Sequence, residues 1–234
     1  VVYGRTTEQS RDALSVGMRW QATSRLRLRS RNELRYEAYA PADARGDRLQ
    51  LGTFHWSHYT LNTDFSLRSH FHYAQTYSFG KNKIEARLVE GSFGFAYRPV
   101  GPRRFMVLTK YTKRFERRPM LFEQTAPEEE ESDVVASIPV LELPYNFQWV
   151  EKLALKRSAL RVGFSPVTVH YSVLGLTRLN YHLTRTWDAS VEHRLLVGTF
   201  SQMTHHGVAL EVDYIVKDAA RIGVGYNFSA ISDD

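Results

Sequence analysis

The sequence predicts an all-β protein, an antiparallel up-and-down transmembrane β-barrel with about 13–14 strands in its 234 residues. Three observations support this fold class. Residues 25–38 alternate strictly between charged and largely apolar positions, comparable segments recur between turns along the whole chain, and aromatic residues concentrate near the ends of those segments. No apolar run approaches the roughly 18–20 residues that a membrane-spanning helix needs.

The segment 25–38 shows the alternation most clearly. Its odd positions hold only arginine and glutamate, and its even positions are Leu26, Leu28, Ser30, Asn32, Leu34, Tyr36 and Ala38. Successive side chains of a strand point to opposite faces, so this strand has one charged face and one largely apolar face. Strands of soluble proteins are mostly about 5–6 residues long. The greater length favours a membrane barrel with a wet, charged lumen over the exposed edge of a soluble sheet.

Thirteen segments with strand character follow one another in hairpins, without an amphipathic helix of any length between them. They are residues 1–5, 12–21, 25–38, 49–59, 65–79, 84–97, 105–115, 134–147, 152–163, 167–183, 187–200, 207–216 and 221–228. We therefore expect a single domain over residues 1–234. A soluble sandwich or a large soluble barrel with aromatic core ends is the alternative, and the long strands with repeated charged faces argue against it.

The connections alternate roughly between short and long. Short connections are predicted at 22–24, 98–104, 184–186 and 218–220, and longer ones at 40–47, 117–133 and 201–206. Short turns at one rim and longer loops at the other are typical of outer-membrane barrels. Aromatic residues near strand ends fit the interfacial girdles of such barrels: Trp20, Tyr39, Tyr59, Phe79, Tyr97, Trp149, Trp187 and Phe200.

Residues 117–147 depart from the regular pattern. The stretch 117–133 contains Pro119, Pro127 and four consecutive glutamates, and it is predicted as a long acidic loop in solvent. Residues 134–147 look like a strand that is distorted by Pro139 and Pro144, because proline cannot donate a ladder hydrogen bond.

The alternation assigns side chains to two faces of the predicted barrel. Charged residues expected in the lumen are Arg19, Arg27, Arg29, Arg31, Glu33, Arg35, Arg68, Arg98, Arg178, Glu192, Arg194, Glu211 and Asp213. Residues expected to face lipid are Leu26, Leu28, Leu34, Val191, Leu195, Val208, Leu210 and Val212. The lumen charges have two interpretations: cross-strand ion pairs that brace the barrel, which the mixed signs favour, or a positive excess that favours anions in a pore.

Composition limits the classes of binding partner that are expected. The formal net charge is +6, but the arginines are spread over strand positions, which is unlike a nucleic-acid-binding patch. The chain has no cysteine, so it has neither a disulfide framework nor a thiolate metal site. The expected partners are outer-membrane lipid and other chains of a surface or export assembly, with no nucleic acid and no cofactor.

Candidate reactive groups are sparse. His70 and His72 share a strand face, and His205 and His206 are predicted in a loop, but a metal site needs three or four converging ligands, so no metal is predicted. A hydrolase would need an acid and a histidine that face each other at the loop rim, and Asp133 with His205 or His206 is the candidate pair. No Gly-x-Ser-x-Gly motif occurs, and the glycines near 224 open no helix for a phosphate loop. The prediction is a non-enzyme.

The C-terminal third contains recognisable sequence motifs. A basic turn precedes Trp187-Asp188, an acidic strand follows, and the segment closes with Gly223-Val-Gly-Tyr-Asn-Phe and Ser232-Asp-Asp. Residues 174–234 resemble the C-terminal outer-membrane β-barrel domain of bacterial surface proteins, which often ends very large modular chains. The resemblance implies localisation in the bacterial outer membrane, a role as membrane anchor or translocation pore, and no catalytic residues.

Three functions follow, in order of preference. The first is an outer-membrane barrel that anchors or exports a larger surface assembly, the second is an anion-tolerant diffusion porin, and the third is an outer-membrane hydrolase. If the short turns are periplasmic, the strand at 221–228 runs outward and ends at the cell surface. Because single-chain barrels have even strand numbers and both ends in the periplasm, we expect a further strand after Asp234 and further residues before Val1.

Overall fold

The computed structural model describes residues 9–39, 46–100, 105–118, 128–199, 204–216 and 220–229. The described residues form twelve strands: β1 (Gln9–Gln21), β2 (Leu26–Tyr39), β3 (Arg48–Thr60), β4 (Phe65–Ser78), β5 (Lys83–Tyr97), β6 (Phe105–Arg118), β7 (Glu128–Glu142), β8 (Phe147–Val162), β9 (Thr168–His182), β10 (Trp187–Gly198), β11 (Thr204–Val216) and β12 (Ala220–Ser229). Each strand pairs antiparallel with the next in one sheet of order β1 to β12. The all-β, up-and-down fold is confirmed, and the predicted strand at 1–5 lies outside the described residues. In the described part of the chain, no helix has the length and apolar character to cross a membrane.

The register assigns every strand residue to a face, because directly opposite residues of an antiparallel pair point the same way. Starting from Arg27 and following the pairs across the sheet, twelve of the thirteen predicted lumen charges share one face. The thirteenth, Arg98, directly follows β5 and continues the same alternation. All eight predicted lipid-facing residues lie on the opposite face.

The charged face is the concave one, and we call it the inner face. Cavities of about 860 and 710 Å³ open on this face, and its carboxylates Glu37, Glu192 and Asp213 are 5–6% exposed. The opposite, outer face carries large exposed apolar side chains such as Val191 and Leu210, 51% and 49% exposed. Among the described residues no hydrophobic side chain is buried. The sheet therefore keeps its apolar groups on the outside, as a barrel in lipid does.

Four tight turns lie at one end of the sheet, which we call the short-turn rim: 22–25, 61–64, 143–146 and 183–186. In three of them the second residue, Thr23, Asn62 or Thr184, accepts two backbone N–H groups through its side-chain oxygen. Such local bonds stabilise turns and compete with the sheet ladder. The opposite, long-loop rim also has tight connections, at 79–82 and 163–167, so the alternation of short and long connections is weaker than predicted.

Asn62→Ala is expected to lower the free energy of unfolding by about 1 kcal/mol, the usual net contribution of a hydrogen bond. Asn62 Oδ1 accepts from the backbone N–H groups of Asp64 and Phe65, both at 2.9 Å. The measurement is urea unfolding from lipid vesicles. Asn62→Asp keeps an acceptor in the same place and should retain most of the stability. An equal loss in both variants would contradict this role of the side-chain oxygen.

The predicted loop at 117–133 is wrong at both ends. β6 continues to Arg118, and β7 begins at Glu128, so the connection is confined to 119–127, outside the described residues. The four glutamates are strand residues with bases beside them on β6 and β8. Glu128 and Glu129 lie directly opposite Arg118 and Arg117. Glu130 and Glu131 reach bases diagonally, at 3.3 Å from Lys156 Nζ and 2.7 Å from Lys113 Nζ. Acid runs of one sign indicate loops only when no bases face them.

The predicted strand at 134–147 contains the second part of β7, a turn and the first residue of β8. β7 ends at Glu142, and Pro144 lies in the turn 143–146, where Tyr145 and Asn146 have φ of 61° and 63°. Pro139 stays within β7, opposite Val107, but no pairing with β8 is made at 138–139. The missing proline N–H explains this gap, and the register is the same on both sides of it.

The outer face marks where the bilayer lies. At the short-turn rim, aromatic rings touch across neighbouring strands, as in Phe65–Tyr97 and Trp187–Tyr214 with centroids 4.7 and 4.9 Å apart. This aromatic band agrees with the predicted girdle. Toward the long-loop rim of β6–β8 the outer face becomes charged, with Lys113, Asp133 and Arg157 in one paired group. The strands there extend past the apolar band.

β12 has the direction predicted for it. It pairs with β11, and Phe228 lies opposite Val208, at the end of the sheet far from the short-turn rim. Among the described residues β12 has no second hydrogen-bonded neighbour, and β1 pairs with β2 alone. Direct closure of β12 on β1, which would have contradicted the predicted orientation, is not seen in the described ranges.

Candidate functional site

Two groups of charges on the inner face contrast with each other. The first is an ion-pair network on β9–β11. Glu192 lies between two arginines, 3.5 Å from Arg178 and 2.5 Å from Arg194, and Arg178 also contacts Glu211 at 2.8 Å. Here the bracing interpretation of the lumen charges describes the structure well.

Glycines of β12 make room for the same network. Gly223 lies directly opposite Asp213, and Gly225 lies opposite Glu211. A Cβ placed on Gly223 would collide with the Asp213 carboxylate. The glycine spacing that excluded a phosphate loop on sequence grounds therefore has a packing role beneath the lumen carboxylates.

The second region is an arginine cluster near the short-turn rim, made of Arg19, Arg27, Arg29 and Arg68 on β1, β2 and β4. Arg19 and Arg29 lie directly opposite each other, and Arg27 and Arg68 lie on either side of His58 in one cross-strand row. Among the described residues, no carboxylate is ion-paired within 4.0 Å with any of these four guanidinium groups. Like charges placed directly opposite destabilise a sheet. An anion between them would remove that cost.

Arg31 and Arg35 of the predicted set behave differently. Arg31 and Arg35 both contact Glu33, each at 2.9 Å. The predicted lumen charges share one face of the sheet, while their division into paired and unpaired groups depends on which strands become neighbours.

Aromatic rings lie beside the arginine cluster. The Arg29 guanidinium carbon is 5.3 Å from the centroid of the Trp56 ring. The rings of Phe54 and His70 stack near the same indole, at 5.8 and 5.5 Å. A guanidinium over an aromatic face gains a cation–π interaction and is held in place without being neutralised. The cluster therefore keeps its positive charge toward the lumen.

Two cavities adjoin each other over this region. The first, of about 860 Å³, is lined by the four clustered arginines together with Trp56, His58 and His70. The second, of about 710 Å³, lies closer to the turn at 61–64, and the two share His58, Arg68 and Leu108 among their lining residues. Volumes of this size fit small organic solutes.

An apolar patch borders the cluster on the inner face of β6–β8: Met106, Leu108, Ile138, Val140 and Val150. Met106, Val140 and Val150 form one cross-strand row, and Leu108 lies opposite Ile138. Leu108 is 44% exposed. Sequence reasoning missed this patch, because it assumed a polar inner face throughout. The signal was present at 134–141, where both alternating sets are apolar, a pattern typical of a strand covered on both faces.

The histidines do not converge. His205 and His206 belong to β11, not to a loop, and point to opposite faces. The rings of His206 and His193 are tilted to each other, with centroids 5.8 Å apart. The rings of His70 and His72 are 6.3 Å apart on the inner face. In the described ranges no group of three or more acidic or histidine side chains could hold a metal ion.

The candidate hydrolase pair is not assembled. Asp133 lies on β7 and the two histidines on β11, with three strands between them, which corresponds to about 19 Å. Asp133 instead accepts a hydrogen bond from the Tyr111 hydroxyl at 2.6 Å and pairs with Arg157 on the outer face. The sequence could not show this, because it does not reveal which distant strands are neighbours.

Comparison with known proteins supports the fold. No protein-family model matches the sequence, and no curated protein matches it. Solved structures do: a variant of the ferric enterobactin receptor of Pseudomonas aeruginosa matches 94% of this chain and 41% of its own, with a TM-score of 0.69 and 10% identity. The siderophore receptor PirA of Pseudomonas aeruginosa matches 94% of this chain and 39% of its own, with a TM-score of 0.69 and 11% identity. PirA of Acinetobacter baumannii matches 94% of this chain and 40% of its own, with a TM-score of 0.64 and 8% identity.

The chain spans about two fifths of the length of these receptors. At such low identity the likeness shows the fold alone, which is that of bacterial outer-membrane β-barrels. The predicted outer-membrane localisation agrees with these neighbours. The narrower resemblance to C-terminal barrels of very large surface proteins stays a prediction.

Proposed function

We propose that this chain forms part of the wall of an outer-membrane β-barrel whose lumen admits anions. The observation that carries the proposal is the arginine cluster: four guanidinium groups on the inner face, without ion-paired carboxylates among the described residues. Positive side chains that line a pore favour anions. The network on β9–β11 is mutually neutralised and contributes little to selectivity, so the charge of the lumen is set near the short-turn rim.

The proposal reverses the order of two functions that the sequence suggested. An anchor whose lumen is filled by its own side chains would bring carboxylates to its arginines, as happens around Glu192. The unpaired cluster favours a path for anionic solutes instead. The matched receptors are named for siderophores, and their low identity transfers no particular solute. The proposal includes no catalytic step.

The test is ion selectivity of the complete protein in planar bilayers under a salt gradient. The wild type is expected to prefer chloride over potassium. Arg27→Glu combined with Arg68→Glu should shift the permeability ratio toward cations by at least about fivefold, because one unit charge at a few ångströms in water is worth about 1 kcal/mol. Arg161→Gln, on the outer face beyond the apolar band, is the matched control and should leave the ratio unchanged. A non-conducting or cation-selective wild type would contradict the proposal.

A further inference from the structure

We infer that the short-turn end of the lumen binds amphiphilic anions, with an anionic head group at the arginine cluster and an aliphatic chain on the apolar patch. The inference rests on the proposed function and adds the class of solute. Its basis is that the arginine cluster and the apolar patch lie next to each other on the inner face. The two adjoining cavities over them have lining side chains in common.

The head-group side is defined by the row of Arg27, His58 and Arg68. Arg27 and Arg68 lie on alternate strands, so their backbones are about 9–10 Å apart. Guanidinium groups that long side chains carry toward each other across such a gap can bind one carboxylate or phosphate together, with charge-assisted hydrogen bonds. Gly94, the next residue of this row, adds no side chain, and Lys110 beyond it adds another cation to the lining of the first cavity.

The chain side lies in the two neighbouring rows, toward the short-turn rim, which contain Leu108 with Ile138 and Met106 with Val140. Leu108 lines both cavities, and Ile138 and Val140 line the second one together with Met106. Apolar side chains on the water-filled face of a pore are stabilised when a solute covers them. The free energy gained is about 25 cal/mol per Å² of apolar area removed from water. A solute that is only an anion would leave this patch exposed, whereas an alkyl anion covers it while its head group reaches Arg68.

The two surfaces also explain each other's position. Arg68 lines both cavities, as does Leu108, so the junction between charge and apolar surface lies within a single solute's length. The network on β9–β11 also borders the patch, because Arg178 lies opposite Val150, but its arginines are already paired with Glu192 and Glu211. Charge complementarity selects an anion, and the patch selects an aliphatic one.

The experiment measures block of the single-channel current of the complete protein by acetate, butanoate, hexanoate and octanoate, added on the short-turn side. In the wild type the concentration for half block should fall by about two- to fourfold per added methylene, the upper figure corresponding to full burial of each CH₂. The series needs no variant to be decisive. Equal block by acetate and octanoate would overturn the inference, and a chloride preference in the same recordings would leave the proposed function standing.

Two variants separate the two halves of the site. Arg27→Gln with Arg68→Gln should weaken block by every acid at least tenfold. Leu108→Ser with Ile138→Ser should leave acetate block unchanged and remove the dependence on chain length. Leu210→Ser, on the outer face, is the control and should behave as the wild type does. If the serine variant conducts but keeps the full chain-length dependence, the placement of the aliphatic chain on this patch is overturned. If the acids block the arginine variant as strongly as the wild type, the placement of the head group is overturned.

Discussion

Leu210→Arg is expected to lower the stability of the protein in a bilayer by about 2–4 kcal/mol, the cost of a lipid-facing arginine at the midplane of a membrane barrel. Leu210 is in the middle of β11 on the outer face, 49% exposed, and lies opposite Val191 and Tyr226. Its cross-strand neighbours Val191 and Tyr226 offer no carboxylate to an arginine there. The measurement is reversible unfolding from lipid vesicles by denaturant.

The adjacent residue supplies the matched control. Ala209 points to the inner face, directly opposite Glu192 and Asn227. Ala209→Arg adds the same side chain one position away on the inner face, where it avoids the cost of a lipid-facing charge, and this variant should be destabilised clearly less than Leu210→Arg. If the two variants were equally destabilised, the assignment of outer and inner faces would be wrong.

Glu192→Gln is expected to cost about 3–5 kcal/mol, the usual effect of removing one partner from a buried ion pair. Glu192 is 6% exposed and holds Arg178 and Arg194 at 3.5 and 2.5 Å. Glutamine keeps the shape and loses the charge, so both guanidinium groups are left close together without a shared anion. The midpoint of unfolding in guanidinium chloride reports the loss.

Glu211→Gln is the comparison for that prediction. Glu211 contacts the same Arg178 at 2.8 Å, but its side chain is 42% exposed. Water replaces most of the lost interaction at such a site, and the expected cost is about 1 kcal/mol or less. A cost for Glu211→Gln as large as that for Glu192→Gln would mean that burial does not control the strength of this network.

The fold could be predicted from the sequence because the barrel signal is local. Period-two alternation in segments such as 25–38 predicts a strand with one charged and one apolar face, as in a membrane barrel. This prediction requires no knowledge of which strands are neighbours. Turn residues such as Asn62 then mark where each strand reverses. This is why twelve of the thirteen predicted segments correspond to β1–β12, and why every predicted apolar residue lies on the outer face.

The candidate site depends on neighbours, and there the sequence was insufficient. Whether Arg68 is paired depends on what β3 and β5 place beside it, and the answers, His58 and Gly94, come from the register alone. The glutamates at 128–131 misled for the same reason, since their bases are on β6 and β8. The apolar patch was missed because alternation was expected to mean polar inside, which fails where a strand is apolar on both faces.

The repeated turn at the short-turn rim has a consequence for how such a chain can change length over evolution. A hairpin begins and ends at the same rim, so duplication or deletion of a whole hairpin preserves the direction and the facing of every other strand. Loss of a single strand would reverse all the strands that follow it, and a shift of one residue would turn their apolar side chains inward. The turns at 22–25 and 61–64, which share the same side-chain bond, are the natural junctions for such exchanges. Barrel circumference can therefore vary in steps of two strands while the chemistry of each remaining hairpin is inherited unchanged.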